Sequence, residues 1–172
     1  MGFFEEEYVV VDLETTGLSP FNGDEIIEIG VTEIKGDRIH RNYSRLIKPK
    51  GFIPSVITEI TNITNDMVED ALTLEDVLPN FRKYIGDRTI IAHNAKFDVT
   101  FLNYYLEQMD LDPIDNYICT MEMLKKNKEY KGKNKKLQTA CDYYGILNEN
   151  AHRADSDTLA TAKLFMKIRT SI

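Results

Sequence analysis

The chain has few of the residues that would indicate a stapled or membrane-bound protein. Its 172 residues include only two cysteines, Cys119 and Cys141, too few for a disulfide scaffold or a four-cysteine zinc site. We therefore expect two buried thiols in a reducing cytosol. No apolar run is long enough for a transmembrane helix. The acidic N-terminus, residues 1–7, lacks both the basic start of a signal peptide and a myristoylation pattern, so we expect a cytoplasmic protein without membrane contact.

What is present indicates one ordinary globular domain. A chain of 172 residues, 42% of them hydrophobic, can bury about two-thirds of its unfolded surface, so we expect a single domain over residues 1–172. The net charge of −7 argues weakly against nucleic acid binding. Its distribution argues the other way, because residues 1–34 hold nine acidic and no basic residues, whereas residues 125–136 hold seven lysines and one acidic residue. The acidic region can bind cations, and the basic segment can bind phosphate.

Hydrophobic patterning predicts an α/β fold. A β-branched run at 8–11 is typical of a strand buried on both faces. Alternating stretches at 25–35 and 38–47 predict a hairpin, and further strands are expected at 89–92 and 114–118. Strands followed by alternating strands and helices indicate a mixed sheet covered by helices. Helices are expected after Pro54 and Thr64 and over residues 74–85, 97–108, 119–126, 136–144 and 155–169.

Two acidic residues at the end of the first strand do not fit a purely structural role. Asp12 and Glu14 are two positions apart, so their side chains point to the same face of the strand. Two carboxylates there repel each other and resist loss of water, and a divalent ion such as Mg²⁺ relieves both problems. The alternative is a solvated strand end with an Asp turn. Gly17 follows closely and allows a ligand to approach, although a plain glycine loop is an equal alternative.

Other polar residues lie at the ends of later elements. Asp98 is in the first turn of a predicted helix, where the helix dipole favours a negative charge even without a function. Strand ends of α/β sheets are also where ligands bind. His152 precedes the last helix and is a candidate general base, although a loop histidine is more often a surface residue. Asp155 and Asp157 both lie near the start of that helix, and periodicity does not decide between them.

Three ordered motifs resemble the exonuclease motifs of the DEDDh (DnaQ-like) family. They are Val11–Leu18 (VDLETTGL), Ala92–Asp98 (AHNAKFD), and His152 with Asp157 five residues later. The spacing of the third motif selects Asp157 over Asp155. The resemblance covers nearly the whole chain, and it implies a ribonuclease H-like fold, with a five-stranded mixed sheet flanked by helices.

Within the family, the chain most resembles the proofreading exonuclease domains of bacterial replicative DNA polymerases, especially the form built into Gram-positive polymerases. Residues 60–68 resemble the segment that precedes the second motif in that group. Asn62 departs from the pattern because it stands where a glycine is usual. Asparagine tolerates the left-handed backbone better than most residues, so we expect the loop to keep its shape.

The resemblance implies 3′→5′ removal of single nucleotides with two divalent metal ions, Mg²⁺ or Mn²⁺. Asp12, Glu14 and Asp157 would hold one ion. Asp12 would also contact the second, with Asp98 helping directly or through water, and His152 would deprotonate the attacking water. Two such ions can stabilise both the attacking and the leaving oxygen of a displacement reaction. The ordinary histidine pKa of about 6.5 suits a base near neutrality.

The resemblance also implies where the substrate lies. Leu18 would be wedged against a base, and His93 and Phe97 are weaker candidates for the same pocket. The lysine-rich segment at 125–136 either follows a phosphate backbone, with salt-dependent binding, or is a solvated loop between helices. The terminal nucleotide would be received by Thr15, Thr16, Gly17 and Leu18.

Three functions are compatible with these residues. The first is a DNA exonuclease that acts on single-stranded 3′ ends in proofreading or repair, with a DNA polymerase as a candidate partner. The second keeps the chemistry but acts on RNA ends or short RNA, and the 2′-hydroxyl would decide between the two. The third is a module that binds nucleic acid or a polymerase without cutting, and the complete catalytic set disfavours it.

Overall fold

A mixed sheet organises residues 6–170, the part of the chain that this computed structural model describes. Residues 1–5 of the acidic N-terminal segment lie outside the described residues. The strands run in the order β3-β2-β1-β4-β5; β2 is antiparallel to both β1 and β3, whereas β1, β4 and β5 are parallel. This arrangement confirms the predicted five-stranded mixed sheet. The strands are β1 (Glu7–Thr15), β2 (Ile26–Lys35), β3 (Arg38–Leu46), β4 (Thr89–Ala92) and β5 (Tyr117–Cys119).

Helices follow and separate these strands. Asn62 ends the first of them in the left-handed conformation, with φ of 63°, so the asparagine adopts the backbone that glycine would. No helix among residues 6–170 is long and apolar enough to cross a membrane. The helices are α1 (Ser55–Thr61), α2 (Asn65–Val68), α3 (Leu74–Ile85), α4 (Ala95–Gln108), α5 (Thr120–Lys126), α6 (Leu137–Tyr144) and α7 (Ala154–Arg169), with one 3₁₀ turn at Pro20–Asn22.

Both faces of β2 are covered, although its sequence alternates like a half-buried strand. Ile29 and Val31 lie in the core that includes Phe81 of α3. The intervening residues face α7, and the Thr32 hydroxyl lies 2.9 Å from the hydroxyl of Thr158. Successive strand residues point to opposite faces, so β2 contacts a helical layer on each side. This confirms the prediction that helices flank the sheet.

Three elements have a boundary that differs by two or more residues from the predicted one, because hydrogen bonds or a local turn set the backbone there. β1 continues to Thr15, since it pairs with β2 well beyond the predicted run at 8–11. β5 begins only at Tyr117, because the Asn103 side chain bonds both the N–H and the carbonyl of Ile114. α4 begins two residues early, after Asn94 turns the chain with φ of 68°.

Both cysteines are free thiols. Cys141 is buried, as predicted, and its burial raises the pKa of the thiol to about 11. Cys119 is only partly buried, which corrects the prediction of two buried thiols. It lies at the end of the edge strand β5, where its Sγ accepts a hydrogen bond from the N–H of Ala95 at 3.3 Å.

Candidate active site

Three carboxylates converge at the end of β1. Asp12, Glu14 and Asp157 each place an oxygen within 4.8 Å of the others. Asp12 and Glu14 share one face of β1, and the first turns of α7 lie against that face. The structure therefore brings together three of the residues predicted to bind metal, from positions far apart in the chain.

One oxygen of this cluster lacks a partner. Oδ2 of Asp12 is inaccessible to water and has no hydrogen bond among the described residues. Its burial and the nearby charges of Asp98, Glu14 and Asp157 raise the pKa of Asp12 well above its ordinary value. Such an oxygen is costly to bury when it is ionised and unpaired. A divalent cation would supply the missing partner, so the donor set fits a hard metal ion.

Asp98 lies beside this cluster rather than in it. Its Oδ1 accepts a hydrogen bond from the N–H of Leu13 at 3.1 Å, which ties the first turn of α4 to β1. Burial raises the pKa of Asp98 to about 8, and its hydrogen bonds to backbone N–H groups partly oppose that rise. The Asp98 carboxylate is thus held close enough to Asp12 for its charge to raise the pKa of Asp12.

The structure separates the two aspartates that periodicity left equal. Asp157 joins the cluster, and its oxygens accept hydrogen bonds from the Asn148 side chain at 2.8 Å and the His152 N–H at 3.0 Å. Asp155 instead accepts a hydrogen bond from the N–H of Ser156 at 2.9 Å. Asp155 therefore has a local role at the start of α7, and Asp157 is the one that faces β1.

His152 lies in the loop directly before α7. Its side chain is exposed, and its backbone is left-handed with φ of 69°, a conformation in which histidine is enriched among non-glycine residues. Its own N–H donates to Asp157, so this one hydrogen bond links the candidate base to the carboxylate cluster. The site therefore combines an exposed imidazole with a group of buried and partly buried carboxylates.

The sequence patterns did not reveal the contact that holds this loop. Glu28 of β2 is fully buried, and its oxygens accept hydrogen bonds from the Arg153 guanidinium at 2.8 and 3.2 Å. The same carboxylate accepts the N–H of Ala154 at 2.7 Å. Glu28 thus anchors the chain between His152 and Asp157. The feature of the sequence that could have indicated this contact is the acidic residue inside the apolar run at 26–31.

Gly30 completes this anchor. A Cβ atom at Gly30 would overlap the backbone carbonyl of Ala154, so β2 and α7 approach more closely than any other residue would allow. Glu28, Gly30 and Thr32 occupy alternate positions on one face of β2, and all three contact the first turns of α7. These contacts place Asp157 relative to β1.

Hydrogen bonds hold the predicted substrate loop, residues 15–18, at the point where the exposed Leu18 side chain projects. Thr16 forms two hydrogen bonds with the backbone of Glu25, at 2.8 and 2.9 Å, and the Thr15 hydroxyl donates to the carbonyl of Gly17. A Cβ atom at Gly17 would overlap the carboxyl group of Asp24. These contacts fix the backbone from which the next residue projects.

Leu18 and Phe97 line the same groove. Leu18 is 87% exposed, and the groove beside it measures about 260 Å³. Phe97 packs against Phe101 with ring centroids 5.0 Å apart, which holds its ring in place. The structure therefore brings together the wedge residue and one of the two weaker candidates predicted from the sequence.

His93 is directed elsewhere. Its Nδ1 lies 2.7 Å from the hydroxyl of Thr120, and its Nε2 lies 2.7 Å from the carbonyl of Lys135. Burial lowers the pKa of the ring, and a neutral ring with its proton on Nε2 satisfies both contacts. Neither ring nitrogen is left for a nucleotide. His93 instead attaches the lysine-rich segment, at 125–136, to the end of β4.

Two solved structures that are similar to this chain are exonucleases. Exonuclease X, in complex with 5′ overhanging duplex DNA, superposes with a TM-score of 0.76 at 26% identity, covering 95% of this chain and 91% of that one. E. coli exonuclease I in complex with a dT13 oligonucleotide gives a TM-score of 0.83 at 15% identity, covering 96% of this chain and 41% of that one. The second likeness concerns the fold alone. Fold and acidic cluster together define a nuclease of the ribonuclease H-like class.

The exonuclease family model (RNase_T) matches residues 9–165, so the chain belongs to this family. The PolC-type DNA polymerase III of Bacillus subtilis is 39% identical over 165 residues, which is 95% of this chain and 11% of that protein. The corresponding protein of Thermotoga maritima is 39% identical over 166 residues, 96% of this chain and 12% of that one. The chain thus spans about one-eighth of the length of these relatives. The predicted family and the predicted exonuclease class are confirmed.

Proposed function

We propose that the chain is a 3′→5′ exonuclease that releases nucleoside monophosphates from single-stranded DNA ends with two divalent ions, Mg²⁺ or Mn²⁺. One observation carries this proposal: Asp12, Glu14 and Asp157 converge, and one buried oxygen of Asp12 has no hydrogen-bond partner among the described residues. Carboxylate oxygens are the ligands that both ions accept. We further propose that residues 1–172 act as one cytoplasmic domain.

The chain's own residues divide the work between them. Asp12, Glu14 and Asp157 would hold one ion, and Asp12 and Asp98 would contact the other. When bound, the ions would stabilise charge on the attacking and leaving oxygens. His152 would take the proton of the attacking water, and its N–H bond to Asp157 sets its distance from the cluster.

The substrate groove supports an end-acting enzyme. Leu18 and Phe97 would hold the terminal base between them, and the rigid backbone of Thr15, Thr16 and Gly17 would lie beside its sugar and phosphate. DNA is favoured over RNA because relatives 39% identical to this chain are DNA polymerases. The same relatives support proofreading in association with a polymerase.

The first experiment incubates the protein with 5′-labelled single-stranded DNA and matched RNA, with Mn²⁺ or with EDTA. We expect a metal-dependent ladder that shortens from the 3′ end, faster on DNA. His152→Ala should slow it by roughly 10²- to 10⁴-fold, the usual contribution of a positioned base. A faster ladder on RNA would replace the DNA assignment with RNA trimming. Intact substrate in every lane, with binding retained, would identify a module that does not cut.

A further inference from the structure

A second groove adjoins the one that holds Leu18. It measures about 610 Å³, within the range of pockets that bind small molecules. Lys96 and Thr100 of α4 line both grooves, so the two are continuous along the outer face of that helix. The second groove is also lined by three aromatic side chains, Phe21, Tyr104 and Tyr117.

Two of these rings, those of Phe21 and Tyr117, are exposed, whereas Tyr104 is half-buried. Phe21 is 73% exposed and belongs to the 3₁₀ turn, where its N–H donates to the hydroxyl of Ser19 at 3.2 Å. Its ring packs edge-on against Tyr104, with centroids 5.2 Å apart. Tyr117, at the start of β5, is 44% exposed. Ordered, exposed rings are the surfaces on which unpaired bases stack.

The charges along the groove give the bound strand an orientation. Lys96 lies at the junction of the two grooves, where it can meet a phosphate. Glu107 and Asp115 line the second groove and would repel phosphates placed inside it. A strand with its bases towards the rings and its phosphates towards solvent avoids that repulsion.

We propose that this groove binds the unpaired bases immediately 5′ of the terminal nucleotide of a single-stranded DNA. The inference rests on the proposed function, because the first groove must hold the 3′ end. The rival surface is the lysine-rich segment at 125–136, which offers charge but no exposed ring, since its one aromatic residue, Tyr130, is buried. The aromatic groove shares Lys96 and Thr100 with the groove beside Leu18, whereas no residue of the lysine-rich segment lines that groove.

Binding as a function of strand length tests this directly. Fluorescence anisotropy would compare labelled oligothymidylates of two and five nucleotides, with Ca²⁺ in place of the catalytic ions. We expect the wild-type protein to bind the longer strand more tightly. Phe21→Ala should weaken that binding roughly 5- to 150-fold, the usual effect of removing a stacking partner, and should make the affinities for the two strands similar. Phe21→Tyr should restore the difference.

Phe52→Ala is the matched control. Phe52 is 89% exposed and lines neither groove, so its removal should leave both affinities unchanged. The proposal is overturned if the wild-type protein does not prefer the longer strand, or if the Phe21→Ala variant keeps that preference. It is also overturned if the double variant Lys131→Ala with Lys133→Ala loses the preference instead. Anisotropy does not depend on cleavage. Length-dependent binding without a ladder would therefore refute the proposed function alone, and a ladder without length-dependent binding would refute the groove alone.

Discussion

At the residue scale, the site depends on which of two nearby aspartates faces β1. Asp155 and Asp157 are two positions apart in the same helix, yet only Asp157 reaches the cluster with Asp12 and Glu14. Its two oxygens are also held by Asn148 and by the backbone of His152. Asp157 therefore couples the carboxylates to the candidate base, whereas Asp155 serves the local backbone.

Exchanging each aspartate for asparagine distinguishes these roles. Asp157→Asn should lower the exonuclease rate at least about 100-fold, because a bound ion contributes several kcal/mol to transition-state stabilisation. Asp155→Asn makes the same chemical change two residues away, and its rate should stay within a few-fold of the wild-type rate. Single-turnover cleavage of labelled DNA gives both rates. Equal losses in the two variants would contradict the assignment of Asp157.

At the element scale, β2 positions α7. Glu28 bonds Arg153 and the N–H of Ala154, and Gly30 lets the helix backbone approach. Glu28 also lies opposite Glu14 in the antiparallel ladder, so the same strand pair carries both the anchor and a cluster carboxylate. A shift of α7 therefore moves Asp157 away from the other carboxylates.

Gly30→Ala tests this coupling. The added methyl group overlaps the carbonyl of Ala154, and overpacking of this kind costs about 1–3 kcal/mol of unfolding free energy. We expect exonuclease activity measured well below the melting temperature to fall at least about tenfold, since misplacing a positioned group by an ångström can cost more than that. Thermal unfolding and the ladder assay measure the two effects.

Gly51→Ala is the control for that substitution. A Cβ atom at Gly51 meets only the Glu25 carboxylate, at an ordinary 3.5 Å. Its melting temperature and cleavage rate should stay close to those of the wild-type protein. A Gly30→Ala protein with wild-type activity would show that α7 can shift without disturbing the cluster.

At the scale of the whole molecule, the carboxylate cluster makes stability depend on pH and metal. Burial, with the charges of Asp157 and Glu28, raises the pKa of Glu14 from 4.5 to about 9. In the metal-free protein, the folded state therefore binds more protons than the unfolded state between pH 4.5 and about pH 9. Stability should fall as the pH rises through this window, because the repelling carboxylates become ionised.

A divalent ion should reverse this loss. With Mn²⁺ at about 100 times its dissociation constant, binding adds roughly 2.7 kcal/mol, which is about 5–10 °C in melting temperature for a domain of this size. We expect the gain to be larger at pH 8 than at pH 5, since ligands must be deprotonated to bind. Differential scanning fluorimetry with Mn²⁺ or EDTA at both pH values measures it. A gain independent of pH would contradict a site built on these carboxylates.

Much of the candidate site was determined by the sequence itself. Asp12 and Glu14 alternate along one strand, so their common face follows from the two-residue period of a β-strand. Asp98 and His152 were recognisable because each lies beside a predicted helix start within a short motif. The order of strands and helices likewise predicted the mixed sheet, since local periodicity reports which face of an element is buried.

Only the tertiary structure decided the remaining parts. Glu28 meets Arg153 across 125 positions of sequence, and His93 reaches the carbonyl of Lys135 across 42. The two adjoining grooves, one lined by Leu18 and the other by Phe21, likewise include residues of α4, far along the chain. Local patterns report the spacing of residues within one element. Contacts between elements depend on how the sheet and helices pack, and that packing placed Asp157 beside β1, joined Glu28 to α7 and formed the aromatic groove along α4.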